Sequence, residues 1–441
     1  MTASKTTPRR DLRDPPGGAV SPFHITGLDA EQILDSRGRP TLAVTLTLAA
    51  GASGWAAVPS GASTGTREAV ELRDGEAGRY DGGGVTRAIA SVTGPLAELA
   101  TARPWPDLAA LDEAMIELDG TSSKARLGGN ALVGVSMAAA RALAAERGRP
   151  LWAFLAPPEA APRLPVPHFN VVNGGAHAPN ELDFQEFMIA PIGAPSMAEA
   201  VRAGAEIYAR LRRRLAADGQ PTGLGDEGGF APGYTHPRQV LTALVAAITD
   251  AGYTPGRDGV AIALDPAASQ FHHDGRYHLA GQALSSTEMI ELYAQLATEF
   301  PIWSIEDGLA EDDTDGWRQL TQRLGERLQL VGDDNFVTNP AIIEHAIAAG
   351  IGNAALIKVN QVGTVTETLQ AMQVCRKHGY AQMVSHRSGE TVDDFIADLV
   401  VGTGCGQIKS GAPARGERVA KYNRLTHIAA RRPDLPYGLP N

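Results

Sequence analysis

The stretch ALIKVNQ, residues 355–361, decides the fold. Ala355, Leu356, Ile357 and Val359 make the short apolar run of a buried strand, yet Lys358 stands inside it. An unpaired ammonium is costly to bury, so this position asks for a partner or a purpose. The run is one of a series: VAIALD (260–265), IWSIED (302–307), LQLVGDD (328–334), AQMVSH (381–386) and GQIK (406–409) have the same character. Each is followed by a helical pattern, such as TVTETLQAMQVCRKHG after ALIKVN. Such alternation predicts a parallel sheet. Six units, preceded by further elements around 164–235, predict a closed β/α barrel rather than an open sheet.

Every one of these strands ends in an ionisable residue: Asp265, Glu306, Asp333, Lys358, His386 and Lys409. Successive separations are 41, 27, 25, 28 and 23 residues, one βα unit each after the first. The C-terminal ends of barrel strands converge on one mouth, where barrel enzymes keep their sites. A single polar strand end is an ordinary loop start; six in register predict a site.

Upstream the pattern differs. HITGLDAEQILD, PTLAVTLTLAA and GWAAVPS read as strands, and ALVGVSMAAARALAAER (131–147) reads as a helix. Strands first and helices later predict an α+β unit over residues 23–155, followed by the barrel over 156–441. The Pro-rich APPEAAPRLPVP (156–167) reads as the linker. Residues 1–22, rich in Pro, Gly, Thr and Arg, read as a disordered tail; no apolar segment follows Arg9-Arg10 to make an export signal.

Bulk properties bound the function. The chain has 441 residues, 43% hydrophobic, enough for a full core. A net charge of −11 with no basic cluster beyond the N-terminus argues against a nucleic-acid partner. Two cysteines, Cys375 and Cys405, argue against a disulfide framework and fit a reducing cytosol. No apolar run approaches the ~20 residues that span a membrane.

Asp265, Glu306 and Asp333 would repel one another without a counterion. An all-oxygen donor set favours Mg²⁺, with Mn²⁺ as an option. Lys358, His386 and Lys409, joined by Arg387 and Ser388, form a cationic half-ring facing these acids. Acids facing cations suit a metal-bound anionic substrate. Arg387 and Ser388 could grip a phosphate, and Lys409 could neutralise a carboxylate. A lysine beside a dication loses pKa, so Lys358 could remove a proton alpha to a carboxylate. Loop residues add candidates, each with an ordinary reading beside it. PSGASTGTRE (59–68) could close over phosphate or lend Ser63 to a second metal, or be a plain connector. In NGGAH (173–177), His177 could be structural. FQEFM (184–188) sets Gln185 and Glu186 in an apolar run, and GDEGGF (225–230) sets Glu227 between glycines. Glu186 and Glu227 could protonate a leaving hydroxyl across from Lys358.

Taken in order, ILDSRGRPT, VPSGASTG, NGGAH, FQEFMIAP, GDEGGFAP, ALDPAAS, SIEDGLAEDD, VGDDNFVTNP, LIKVNQVGT, VSHRSGET and GQIKSGAPARGERVAKYN cover about residues 24–426. This series closely resembles the signature blocks of the enolase family. The resemblance implies a modified (β/α)8 barrel of TIM type with a smaller α+β capping domain, and reversible dehydration of 2-phosphoglycerate to phosphoenolpyruvate with two Mg²⁺. It implies Asp265, Glu306 and Asp333 as ligands of the first metal and Ser63 as a ligand of the second. It implies Lys358 as the base and Glu227 as the acid, assisted by Glu186. It also implies Arg387, Ser388 and His177 as phosphate contacts, Lys409 at the substrate carboxylate, and Gln185 and His386 as neighbours of the site. A cytoplasmic homodimer, or an octamer, is the implied assembly.

Departures from the family pattern fall beside these groups: Arg39 and Ala43, Pro179 and Glu181, Pro266 after Asp265, Gly308 in SIEDG, Asn335 in VGDDNF, and a C-terminus without the usual acidic helix. None removes a candidate catalytic group. They keep open an enolase-like enzyme of secondary metabolism, acting on a related phosphorylated or phosphonylated three-carbon acid as in carboxyphosphonoenolpyruvate formation. A non-catalytic adhesion protein on the same fold is a third reading, against which the complete charged cluster weighs.

Overall fold

The computed structural model describes residues 22–61 and 65–440. Residues 1–21 of the expected tail, and Ser63, lie outside them. The chain opens with an antiparallel three-stranded sheet, β1 (Ile25–Leu34), β2 (Pro40–Leu48) and β3 (Ser53–Ala57), in the order β1-β2-β3. The helix Gly129–Glu146 packs across it, close to the predicted span. Its small residues set the distance. A Cβ on Gly54 of β3 would lie 2.0 Å from the Ala138 carbonyl, and one on Gly134 would lie 2.7 Å from a Val44 methyl. Sheet and helix backbones therefore approach as only glycine allows. The helix is apolar nearly all round because other elements also cover it.

Residues 156–165 carry no helix or strand apart from a bridge at Leu164. Eight strands then close a barrel. They are β4 (Val166–Asn173), β5 (Glu186–Ala190), β6 (Ala261–Asp265), β10 (Ile302–Glu306), β11 (Gln329–Gly332), β12 (Ala354–Ile357), β13 (Ala381–Ser385) and β14 (Gln407–Lys409). Between β6 and β10 a small antiparallel sheet intervenes, made of β7 (His272–His273), β8 (Arg276–Leu279) and β9 (Gln282–Leu284). This insert accounts for the 41-residue separation between Asp265 and Glu306. Around the ring the order is β10-β11-β12-β13-β14-β4-β5-β6. Most barrel residues are buried, as unbroken Val, Ile, Leu and Ala runs require of strands covered on both faces.

The barrel departs from simple alternation at one place. β5 runs antiparallel to both of its neighbours, β4 and β6. A loop, not a crossover helix, joins β4 to β5, so the chain turns straight back. Two helices then follow in succession, Met197–Ala217 and Pro237–Asp250, before β6 restores the parallel direction. The reversal places the first residue of β5, rather than its last, at the barrel mouth.

Both cysteines are free and buried. No helix among the described residues is long and apolar enough to cross a membrane.

Candidate active site

The mouth is built from strand ends. Asp265, Glu306 and Lys409 are the last residues of β6, β10 and β14, while Asp333, Lys358 and His386 immediately follow β11, β12 and β13. Glu186 joins them from the reversed β5, paired in register with Asn173 on one side and Asp265 on the other. Ring order thus gives an arc of acids, Glu186, Asp265, Glu306 and Asp333, continuing into Lys358, His386 and Lys409. His177, Gln185, Glu186, Glu227, Asp265, Asp333, Lys358, His386, Arg387, Ser388 and Lys409 line one cavity. Glu306 joins the group through its bond to Lys409.

The acids divide between two lysines. Lys409 Nζ stands 2.7 Å from Glu306 Oε1, 3.1 Å from Asp265 Oδ2 and 3.2 Å from Glu186 Oε1. Burial pulls this ammonium down, but the surrounding carboxylates hold it well above the usual lysine range. Lys358 Nζ instead bonds Asp333 Oδ2, while Gln361 Nε2 donates to Asp333 Oδ1 at 2.8 Å. With the residues of the chain alone Lys358 is therefore shifted upward: burial lowers it and Asp333 more than reverses that. The depressed lysine expected from the sequence is not what Asp333 produces by itself.

Glu186 and Glu227 form a second centre. With His177 they bring one ligand atom each within 4.8 Å of one another. Burial first, then the charge of Glu227, pushes Glu186 far above the carboxylate range. Glu227 goes the other way: burial opposes it, but His386, His177 and Arg418 hold it well below. Two close buried carboxylates whose pKa values are pushed in opposite directions are an arrangement in which a single proton can be shared. His386 is neutral, pushed down to about 3 chiefly by burial. Arg418 Nη1 lies 2.6 Å from His386 Nδ1 and can only donate, so the ring proton sits on Nε2. Nε2 is 3.3 Å from Glu227 Oε2 but poorly aligned with it. Asn170 Nδ2 donates to the same oxygen at 2.9 Å.

Sequence reasoning passed over several members of this site. Arg418 is fully buried and also donates to the Arg387 and Ser388 carbonyls, each at 2.6 Å. Asp307 adopts a φ of 43° directly after Glu306, and its carboxylate accepts from the backbone of Asp333 at 2.8 Å and Asp334 at 3.0 Å. Its adjacency to Glu306 in IWSIED was the available signal. Gln185 Nε2 reaches Asp265 Oδ2 only at 3.5 Å, and its Oε1 accepts from Gln270 at 2.6 Å.

The donor chemistry fits a hard divalent cation. Glu186 Oε2 and Glu306 Oε2 are buried without a hydrogen-bond partner. An all-oxygen set with a lone ammonium among three carboxylates is the arrangement that such an ion relieves. A second close group of possible ligands, beside His177, Glu186 and Glu227, is Asp307, Asp333 and Asp334.

Fold and site together define a β/α barrel with a carboxylate-rich mouth set against lysine and arginine, an arrangement that suits an anionic substrate held beside a divalent cation. Residues 25–155 match the family model of the enolase N-terminal domain, and residues 161–433 match that of the enolase C-terminal TIM barrel domain. The chain is also 57% identical over 406 residues to the enolase of Rubrobacter xylanophilus, covering 92% of this chain and 94% of that protein. The chain belongs to the enolase family, hydro-lyases of the phosphopyruvate hydratase type. Neither likeness speaks for the phosphonylated substrate weighed from the sequence.

Proposed function

We propose that this chain catalyses the reversible, Mg²⁺-dependent dehydration of 2-phosphoglycerate to phosphoenolpyruvate. The observation that carries the reading is the placement of Lys358 and Glu186 on opposite strands of the ring, β12 and β5, with acids along the arc between them.

In this reading Lys358 Nζ takes the α-proton; the C–H bond breaks and its electron pair moves toward the carboxylate. The shared proton of Glu186 and Glu227 goes to the β-hydroxyl, which leaves as water as the C–O bond breaks and the C=C bond forms. Lys409 faces the substrate carboxylate, Arg387, Ser388 and His177 face the phosphate, and Gln185 and His386 hold their neighbours in place. Asp265, Glu306 and Asp333 would hold one Mg²⁺, and Ser63, outside the described residues, would serve a second. Held there, Mg²⁺ would supply Lewis-acid stabilisation of the charge that develops, and Asp333, the partner of Lys358 in the structure, would then serve the ion as well. The same reading takes residues 23–155 as the cap, 156–441 as the catalytic barrel, and a cytoplasmic homodimer as the working form; family membership supports it.

Absorbance of phosphoenolpyruvate formed from 2-phosphoglycerate tests the proposal, with Mg²⁺ and with excess EDTA. Rapid turnover lost in EDTA is expected. Negligible turnover by a folded protein that binds Mg²⁺ would overturn it.

A further inference from the structure

Arg387 is the residue set against the substrate phosphate, and something must aim it. Its guanidinium is buried. Nη1 donates to Glu68 Oε2 at 2.9 Å and to Asn360 Oδ1 at 3.0 Å, and Nη2 donates to Glu68 Oε1 at 3.2 Å. A carboxylate that takes both terminal nitrogens fixes the plane of the guanidinium as well as its position.

Glu68 is itself anchored. Its Oε1 also accepts from Gly65 N at 3.0 Å and from Gln361 Nε2 at 3.3 Å. The same Gln361 nitrogen donates to Asp333 Oδ1, and Gln361 Oε1 accepts from Thr338 Oγ1 at 2.7 Å. Thr338 Oγ1 in turn accepts from Lys358 N at 2.9 Å. Glu68, Gln361 and Thr338 are all buried, so this chain of bonds is shielded from water, where each bond is stronger and its loss costlier. It runs from the phosphate-facing arginine to the backbone of the proposed base. Glu68 enters it from the N-terminal part of the chain, 319 residues from Arg387.

We propose that Glu68 is a positioning residue for Arg387: it sets the plane in which the guanidinium meets the substrate phosphate. The inference rests on reading the site as one for a phosphorylated acid. The competing role is simple neutralisation of a buried charge, which would leave substrate affinity untouched once the protein is folded.

Steady-state kinetics of Glu68→Gln, with and without Arg387→Lys, separate the two. The expected result is a KM for 2-phosphoglycerate raised about tenfold by Glu68→Gln, with kcat falling no more than about threefold. In the Arg387→Lys background, Glu68→Gln should move KM less than about twofold, because it acts only through that guanidinium. If Glu68→Gln does not fold, Glu68→Asp keeps the charge, shortens its reach and should raise KM in the same direction. A calorimetric titration of inorganic phosphate into the Mg²⁺-loaded protein provides an arm independent of turnover, and Glu68→Gln should weaken it about tenfold. An unchanged or lowered KM with unchanged phosphate affinity, or an equal effect in both backgrounds, overturns the inference. Absence of turnover in the unmodified protein, with phosphate affinity still dependent on Glu68, would instead sink the proposed reaction and leave the positioning role standing.

Discussion

Lys358 and Glu186 stand four strands apart in the eight-strand ring, one just after β12 and the other at the start of the reversed β5. The proposed base and Glu186, which assists the proposed acid Glu227, therefore approach a bound substrate from opposite sides. Asp265, Glu306 and Asp333 occupy the three strands between them, which sets the carboxylate cluster along one flank of the same substrate.

Removing the shared proton should slow the reaction without abolishing substrate binding. Glu186→Gln is expected to lower kcat by about 10²-fold or more, the range of a positioned acid, while KM moves far less. Steady-state kinetics with saturating Mg²⁺ check this. A kcat within about threefold of the unmodified protein would take Glu186 out of the proton transfer.

Lys409 holds three buried carboxylates that otherwise have no common counterion. Lys409→Met should cost about 3–5 kcal/mol, the scale of breaking a buried ion pair by removing one partner. In thermal melts with EDTA the variant is expected to unfold at lower temperature than the parent. Added Mg²⁺ should recover more of the variant's Tm than of the parent's. Equal melting in EDTA would show that the lysine is not the internal counterion of these acids.

Away from the mouth, Asp112 gives a pH-dependent contribution with a definite sign. This fully buried carboxyl, on the helix Leu108–Asp119, accepts from Ser136 Oγ at 2.9 Å and from Thr366 N and Oγ1 at 3.1 and 2.6 Å. Burial raises its pKa to about 7, against the hydrogen bonds that lower it. The folded state thus binds the proton more tightly than the unfolded chain. Stability from this group is greatest at low pH and falls as pH rises from about 4 to about 7. The full penalty above that window is on the order of 4 kcal/mol. Asp112→Asn should therefore gain stability relative to the parent as pH rises from 5 to 8, measured by melts of both proteins. Parallel pH profiles would contradict this.

Six parallel strands of the barrel were legible because each βα unit repeats one rule: an apolar run, then an ionisable residue at its end. That rule located Asp265, Asp333, Lys358, His386 and Lys409, which line the cavity, and Glu306, which bonds Lys409. It did not show that β5 runs backward. EFMIA is apolar in either direction, and strand polarity is set by the connection on each side rather than by the run itself. Glu186 was visible as a carboxylate in an apolar context, but its pairing with Asp265 depends on that reversal. Arg418 and Glu68 were hidden for another reason. The partners that place them in the site, His386, Arg387 and Gln361, lie 31 to more than 300 residues away, and no local pattern marks a buried side chain by its distant bonds. Asp307 escaped because its role rests on backbone geometry, a positive φ that turns its carboxylate onto the amides of Asp333 and Asp334.

In the proposed reaction Lys358 removes the α-proton of 2-phosphoglycerate. Exchange of that proton with solvent deuterium, followed by NMR in the presence of Mg²⁺, tests it most directly. The unmodified protein should exchange the proton, and Lys358→Ala should lose exchange while Mg²⁺ binding, measured by calorimetry, remains. Exchange persisting at the parent's rate in Lys358→Ala would contradict the assignment.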